Sequence, residues 1–439
     1  MRFVDLFAGL GGFHKALGEL GHECVFASEL DEELRELYTH NLKTPAKRVH
    51  GDIRLAKSLV PKHDILCAGF PCQPFSKSGF QKGSGDTVRG TLFAEILEIV
   101  KKHEPKFVLL ENVGNFEQHD GGKTWRIVRE SLEDLDYHVR GTEHVKSGGH
   151  GLISPHHLGF PQTRERFFVI ASKSPLARDP FPARQRDHKI SLGEVVQAKN
   201  ELDDSDVRET RLSTQQVACV NHWNRLIKAL PQKVELPSFP LWGDEIHARY
   251  PFATKTPFSL RKAELARLVR KRGEWGKVTK TQLLESLPSY ARSQELEFPG
   301  WKVAFIRNNR EWFELVAPWF PSNWVAKLRR FPPSLRKLEW NCQGEDRDLW
   351  ECVLQFRPSG LRAKRYTTSP ALVSMTTTQV PILGPERRFI TRKEGLRLQG
   401  FPASFKLPKG RDEAFRALGN AVHVGVVKAI AKAAIGSER

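Results

Sequence analysis

Ala68-Gly69-Phe70-Pro71-Cys72-Gln73-Pro74-Phe75-Ser76 follows directly on a short apolar run, Asp64-Ile65-Leu66-Cys67-Ala68. The run predicts a buried strand that stops at Gly69. Pro71 and Pro74 flank Cys72 closely, and proline has no amide to give to a sheet. Cys72 is therefore expected on a stiff turn at the carboxyl end of a strand. In a doubly wound α/β sheet that is where ligands bind. Local chemistry alone leaves two readings of Cys72 open, a nucleophile or a buried structural thiol. The structural role suits Cys67 better, because small apolar thiols are common in cores.

What surrounds the stretch separates these readings. Phe3-Val4-Asp5-Leu6-Phe7-Ala8-Gly9-Leu10-Gly11-Gly12 precedes it, and Glu111-Asn112-Val113 and Gln162-Thr163-Arg164-Glu165-Arg166 follow it. Arg397-Leu398-Gln399-Gly400-Phe401-Pro402 and Gly419-Asn420-Ala421-Val422 come late in the chain. Six motifs in this order resemble the DNA (cytosine-5) methyltransferases of bacterial type II restriction–modification systems. The resemblance covers residues 1–172 and 388–435 and says little about the middle. It implies a doubly wound, Rossmann-like S-adenosylmethionine-dependent methyltransferase sheet with a smaller, mixed target-recognition domain. It places the catalytic and cofactor-binding domain at 1–172, completed by 388–439, and target recognition at 173–387. A monomer is expected.

Composition is compatible with this. A chain of 439 residues with 39% hydrophobic and 27% charged side chains suits a globular protein of two domains or more. No run of 18 apolar residues occurs, so no membrane span is expected. Six cysteines without framework spacing, and no leader-like N-terminus, point to reduced thiols in the cytoplasm. The net charge is +18 and most of the excess lies between 173 and 387. Within 261–280, Arg261, Lys262, Arg267, Arg270, Lys271, Arg272, Lys277 and Lys280 face only Glu264 and Glu274. For any one of these a solvated surface position is the ordinary role; the cluster suits a polyanion such as double-stranded DNA. Nine of the ten tryptophans lie between 223 and 350, mostly as core.

Along the chain, 2–8 predicts a strand and Gly9-Leu10-Gly11-Gly12 a tight turn into a helix at 13–20. The dinucleotide fingerprint needs glycine at 14, where His14 stands, which argues against a pyrophosphate cofactor. A second strand, 23–28, ends at Glu29, about 20 residues past the first glycine and placed to accept ribose hydroxyls. The resemblance adds the adenine site. Leu30, where the family often has an aromatic, covers one face; Asp52 accepts from the amino group and Ile53 packs on the ring. It also gives Phe7, Ala8, Gly9, Leu10, Gly11, Gly12, Pro71, Leu92, Asn420 and Ala421 as cofactor contacts.

Residues 77–90 are rich in Gly, Ser and Lys, the composition of a loop that closes over a substrate. Helices are predicted at 91–102 and 125–134, strands at 107–110, 137–144 and 167–171. Glu111 stands at the end of its strand, where partial desolvation is expected to raise its pKa, while Asn112 suits a helix cap. The middle shows helical patterns near 213–229 and 259–287, then polar stretches around Arg357 and Arg362 that suit base or phosphate contacts. Thr391 with Glu394 three residues on is a capping-box signature opening a helix at 390–400, and a last helix is expected at 424–434.

The resemblance implies a mechanism. Cytosine C5 is a poor nucleophile until a thiolate adds at C6, a step for Cys72. Charge growing on N3 needs a proton or strong hydrogen bond, a role for Glu111. Arg164 and Arg166 match catalytic arginines, with Arg166 assigned to the cytosine O2. The base must leave the stack, with Gln73, Ser76 and Arg89 stabilising the opened duplex. An RNA cytosine methyltransferase on the same fold and a catalytically silent DNA-binding repressor are the alternatives. The intact Pro71-Cys72-Gln73 and Glu111-Asn112-Val113 argue against the repressor.

Overall fold

The computed structural model describes residues 1–71, 92–176, 179–184, 191–269, 278–373 and 379–436. Cys72, Gln73, Ser76, Arg89, Arg270, Lys271 and Arg272 lie outside them. The chain divides into two compact units. One comprises 1–210, 367–380 and 390–439, the other 211–366 and 381–389.

The first unit opens with β1 (Arg2–Leu6), α1 (Gly12–Gly18), β2 (Glu23–Ser28), α2 (Glu32–Leu42), β3 (Val49–His50), α3 (Ile53–Ala56) and β4 (Ile65–Gly69). After them come α4 (Leu92–His103), β5 (Phe107–Val113), α5 (Lys123–Glu133), β6 (His138–Gly141), β7 (Gln162–Thr163) and β8 (Arg166–Ser172). Seven strands form one sheet in the order β3-β2-β1-β4-β5-β8-β6. The first five run parallel and β8 is antiparallel to both neighbours. Both faces are covered, so β1, β4 and β5 are buried along nearly their whole length, and β4 and the first four residues of β5 read as continuous apolar runs rather than alternating ones.

Side-chain alternation sorts the core between the faces. Val4, Leu6, Leu66, Ala68, Val108 and Leu110 pack with Phe93, Ile96 and Val100 of α4 and Trp125, Val128 and Leu132 of α5. Phe3 turns the other way, its ring edge-on to His14 of α1. Glu111 shares that second parity with Leu109 and Phe107 on β5.

Residues 192–210 belong to the first unit, although the sequence put the boundary at 172. Side-chain pairing holds them there. Arg392 forks onto Glu209 at 2.6 and 2.8 Å, the Gln197 amide N–H donates to Glu394 Oε1 at 2.8 Å, and Lys393 faces Asp203 and Asp206. The acidic run at 201–206 is thus matched to basic residues 190 positions away, a match no local pattern reveals.

The second unit contains α6 (Thr214–Ala229), β9 (Leu241–Trp242), α7 (Lys262–Leu268), α8 (Lys280–Glu285), α9 (Gly300–Val316), α10 (Trp324–Leu328), β10 (Lys337–Asn341), β11 (Val353–Arg357) and β12 (Gly360–Lys364). The chain then crosses to the first unit, where β13 (Ser369–Pro370) pairs with β7, and returns with β14 (Ile382–Leu383) and β15 (Arg388–Phe389). These complete a six-stranded sheet, β15-β14-β11-β12-β10-β9. The helical pattern at 259–287 resolves into two short helices, 262–268 and 280–285, on either side of residues outside the described set. A buried carboxylate organises this part. Glu245 accepts from Arg310 Nε at 2.8 Å and Tyr290 Oη at 2.8 Å, and from Tyr250 Oη. Trp223, Trp324, Trp340 and Trp350 are core, as expected, but Trp301 is 59% exposed.

The chain ends in the first unit with α11 (Arg392–Leu398), α12 (Arg411–Asn420) and α13 (Val424–Ile435). The capping box at Thr391 and Glu394 is formed as expected. Val427 and Ile430 of α13 meet Phe13, Leu109 and Phe168, which covers the second face of the sheet. Among the described residues, only 411–435 has the length and apolarity of a membrane span. It is two helices separated at 421–423, and 67% of its apolar window is buried.

Candidate active site

The turn after β1 is built from positive-φ residues. Phe7 (56°), Gly9 (52°) and Gly11 (80°) lie in the left-handed region. The glycines have different reasons to be there. A Cβ on Gly9 would meet nothing within 4 Å, so this backbone lies open to a ligand. A Cβ on Gly11 would strike Leu42 and Tyr38 at 2.3 and 2.8 Å, and one on Gly12 the Val422 backbone carbonyl at 2.7 Å. Gly11 and Gly12 serve packing, and neither they nor Leu10 line the cavity described below. His14, at the position a third glycine would need, bonds Tyr38 Oη at 2.8 Å.

Beneath the turn, Asp5 is fully buried and accepts from Tyr38 Oη at 3.2 Å. Burial raises its pKa from 3.8 to about 8, against the opposing effect of the tyrosine bond. A raised folded-state pKa means proton uptake on folding. This contribution is full below pH 4 and is lost as pH rises to 8, by up to about 1.4 kcal/mol per unit. Asp5→Asn, neutral at all pH, is expected to gain stability relative to the wild type between pH 5 and 8. Urea unfolding across that range measures it; parallel profiles for the two proteins would contradict it.

Glu29 closes the turn from β2. Its carboxylate accepts from the amides of Gly9 (2.8 Å) and Asp31 (3.0 Å), which use two of about four lone-pair directions. Arg35 Nη1 donates to the carbonyls of Glu29 and Leu30, fixing Leu30 with 70% of its surface exposed. Asp52 is differently employed from the sequence expectation. It caps α3, accepting from the Arg54 amide at 3.0 Å, and holds the Arg54 guanidinium, which lowers its pKa. Ile53 is 3% exposed and belongs chiefly to the core.

These residues line one cavity of about 780 Å³ in the first unit. Phe7, Ala8, Gly9, Glu29, Leu30, Asp52 and Ile53 contribute, as do Pro71, Leu92, Asn420 and Ala421. So do Glu111, Asn112, Arg164 and Arg166. The volume is within the usual range of about 300–1,000 Å³ for ligand sites.

Glu111 lies inside β5, which runs to Val113 rather than stopping at 110 as predicted; it is 8% exposed, and Arg166 Nε, on the antiparallel neighbour β8, is 3.0 Å from its Oε1. Arg166 Nη1 donates to the Glu165 carbonyl at 2.8 Å, which fixes the guanidinium from a second side. Asn112 has a role the sequence reading missed. Instead of capping a helix, its Nδ2 donates to the Phe70 carbonyl at 3.0 Å and its Oδ1 accepts from the Val113 amide. It thereby ties β5 to the peptide that leads into Pro71 and Cys72. An asparagine after a strand-end acid is the only signal the sequence offers for this. Arg164 is buried at 3% exposure, and its guanidinium donates to backbone carbonyls.

A parallel-rich sheet with a glycine turn held by Glu29 and a Glu111–Arg166 pair in one cavity is matched by a comparison in sequence. The profile of the C-5 cytosine-specific DNA methylase family matches residues 1–436. The chain belongs to this family. The methyltransferase is 33% identical to the type II methyltransferase M.AluI of Cellulosimicrobium cellulans, over 100% of its own length and 92% of that protein's. It is 45% identical to M.HhaI of Haemophilus parahaemolyticus over 40% of its own length and 50% of the relative's. Identity to M.HgiCI of Herpetosiphon aurantiacus is 28%, covering 98% and 96% of the two chains. The matches to M.AluI and M.HgiCI run through the second unit of the methyltransferase, where motif reading is uninformative.

In that unit, Arg357 and Arg362 lie on adjacent antiparallel strands and share a partner. Arg362 Nε is 2.6 Å and Arg357 Nη1 3.5 Å from Glu339 Oε2. Glu339 was not singled out in the sequence; only the parallel pairing of β10 with β12 brings it opposite Arg362.

Proposed function

We propose that the first unit transfers the methyl group of S-adenosylmethionine to C5 of a cytosine swung out of double-stranded DNA. The observation that carries this reading is the single cavity lined both by Glu29 and Leu30 and by Pro71, Glu111 and Arg166. The residues suit the cofactor. Glu29 keeps acceptor capacity for ribose hydroxyls, Leu30 offers bare apolar surface to a purine, and Gly9 allows close approach. When bound, S-adenosylmethionine supplies an electrophilic methyl group and leaves as S-adenosylhomocysteine. Asp52 would reach an adenine amino group only if Arg54 yielded part of its hold.

Cys72 follows Pro71 in the chain and is assigned the thiolate that adds to cytosine C6, making C5 nucleophilic. Glu111 delivers a proton or hydrogen bond to N3 as charge grows there. Arg166, held on two sides, donates to O2. Loss of the C5 proton and elimination of the thiol complete turnover; water is the base assigned here. Extrusion of the base costs stacking energy, which Gln73, Ser76 and Arg89 are assigned to offset. The second unit is assigned target recognition, through Arg357, Arg362 and the basic run at Arg270, Lys271 and Arg272. The biological setting is the cytoplasm, with the enzyme acting as a monomer to protect DNA against a restriction endonuclease that cuts the same site.

Transfer of labelled methyl from S-adenosylmethionine to duplex DNA and to folded RNA tests the substrate. Incorporation into duplex DNA alone is expected; incorporation into RNA alone would move the reading to an RNA methyltransferase. Replacing Arg270, Lys271 and Arg272 by glutamine is expected to lower the slope of log affinity against log salt by up to about 3. An unchanged slope would make that run a solvated surface.

A further inference from the structure

Arg164 is expected at the base by resemblance, but its hydrogen bonds lead elsewhere. Nη2 donates to the carbonyls of Gly419 at 2.8 Å and Ala421 at 3.0 Å, and Nη1 to that of Leu372 at 3.2 Å. Its own amide N–H donates to Ser154 Oγ at 2.8 Å. Gly419 and Ala421 stand at the carboxyl end of α12, where carbonyls lack helical partners and the helix dipole is negative. A buried guanidinium satisfies both requirements together. The same segment, 419–422, is a wall of the cavity, and Val422 packs closely enough on Gly12 of the glycine turn that a Cβ there would clash. Leu372 follows β13, whose partner β7 ends just before Arg164. One side chain therefore fastens two separate stretches, at 372 and at 419–421, to its own segment beside the cavity.

We infer that Arg164 is a positioning residue for the cofactor: it sets the wall 419–422 against the glycine turn, and Arg166 alone of the two arginines meets the base. This rests on the reading of the cavity as the S-adenosylmethionine site. Losing the guanidinium leaves three buried carbonyls without their donors and frees the wall.

The test is calorimetric titration of the full-length protein with S-adenosylhomocysteine, without DNA, alongside steady-state methylation. If the wild type does not bind, the cofactor reading falls and this inference with it. If it binds, Arg164→Met is expected to raise Kd by about tenfold or more and KM for S-adenosylmethionine in step. Its kcat at saturating cofactor should stay within about threefold of wild type. Arg164→Lys, which cannot reach three carbonyls at once, should fall between. An unchanged Kd with a collapsed kcat would overturn the inference and put Arg164 at the base. Should Arg164→Met fail to fold, hydrogen exchange on the wild type decides. S-Adenosylhomocysteine is expected to protect 418–422, 371–373 and 163–166 together; protection confined to 418–422 would overturn it.

Discussion

Cys72→Ser is expected to abolish turnover, with kcat down by at least about 10⁴-fold while duplex binding persists. Methyl transfer needs electron density at C5, and only addition at C6 supplies it without a strong external reagent. A serine hydroxyl is barely ionised near neutral pH, whereas a thiol is a few per cent thiolate and intrinsically more nucleophilic. The site around the residue should survive the change, because Pro71 is positioned from β5: Asn112 holds the Phe70 carbonyl whichever side chain stands at position 72. A duplex carrying 5-fluorocytosine separates the covalent step from the rest. Fluorine cannot leave C5 as the proton does, so wild-type enzyme should become covalently trapped and the serine variant should not. Residual turnover within a hundredfold of wild type, or trapping of the serine variant, would remove Cys72 from the mechanism.

Glu111→Gln is expected to lower kcat by about 10²–10⁴-fold, the usual worth of a positioned proton donor. Glutamine keeps the shape, and its amide oxygen can still accept from Arg166 Nε, so the β5–β8 pairing and the guanidinium position remain. What it loses is the transferable proton. DNA and cofactor affinity should change little, so the loss appears in kcat and kcat/KM together. Single-turnover methylation against duplex DNA measures it. A kcat within tenfold of wild type would mean that hydrogen bonding at N3 suffices and that no proton comes from this side chain.

Much of the first unit was legible because its strands are apolar on both faces and its helices carry local start signals. β2 has the predicted bounds, 23–28, and α11 opens on the capping box that Thr391 and Glu394 announce. The ends of elements were less legible where backbone strain intervenes. The strand predicted to 8 stops at Leu6 because Phe7 turns to positive φ. The strand predicted over 137–144 shortens to 138–141, leaving Glu143 free to accept from Trp125 Nε1 at 2.7 Å. The unit boundary was beyond reach, since it depends on ion pairs such as Arg392–Glu209 that span the intervening domain.

The site divides similarly. Glu29, just past β2, and Glu111, near the carboxyl end of β5, could be picked out by position as residues that line the cavity. Residues with two uses could not be resolved. Asp52 is a helix cap paired with Arg54, and Gly11 and Gly12 are packing glycines inside a motif that reads as ligand-binding. Arg164 and Arg166 are two apart in sequence yet hold different things, carbonyls of the returning chain and the carboxylate of β5. Long-range partners, Asn112 to Phe70 and Glu339 to Arg362, exist only once the sheets are assembled.

The proposed reaction is sequence-specific C5 methylation of duplex DNA through Cys72. A methylation map tests it most directly: purified enzyme and S-adenosylmethionine on unmodified genomic duplex, read by base-resolution sequencing of 5-methylcytosine, with Cys72→Ala as the control. Modification of one cytosine within one short recurring motif, absent from the control, is the predicted result. A folded, cofactor-binding enzyme that leaves the duplex unmodified, or methylation that persists in the Cys72→Ala protein, would contradict it.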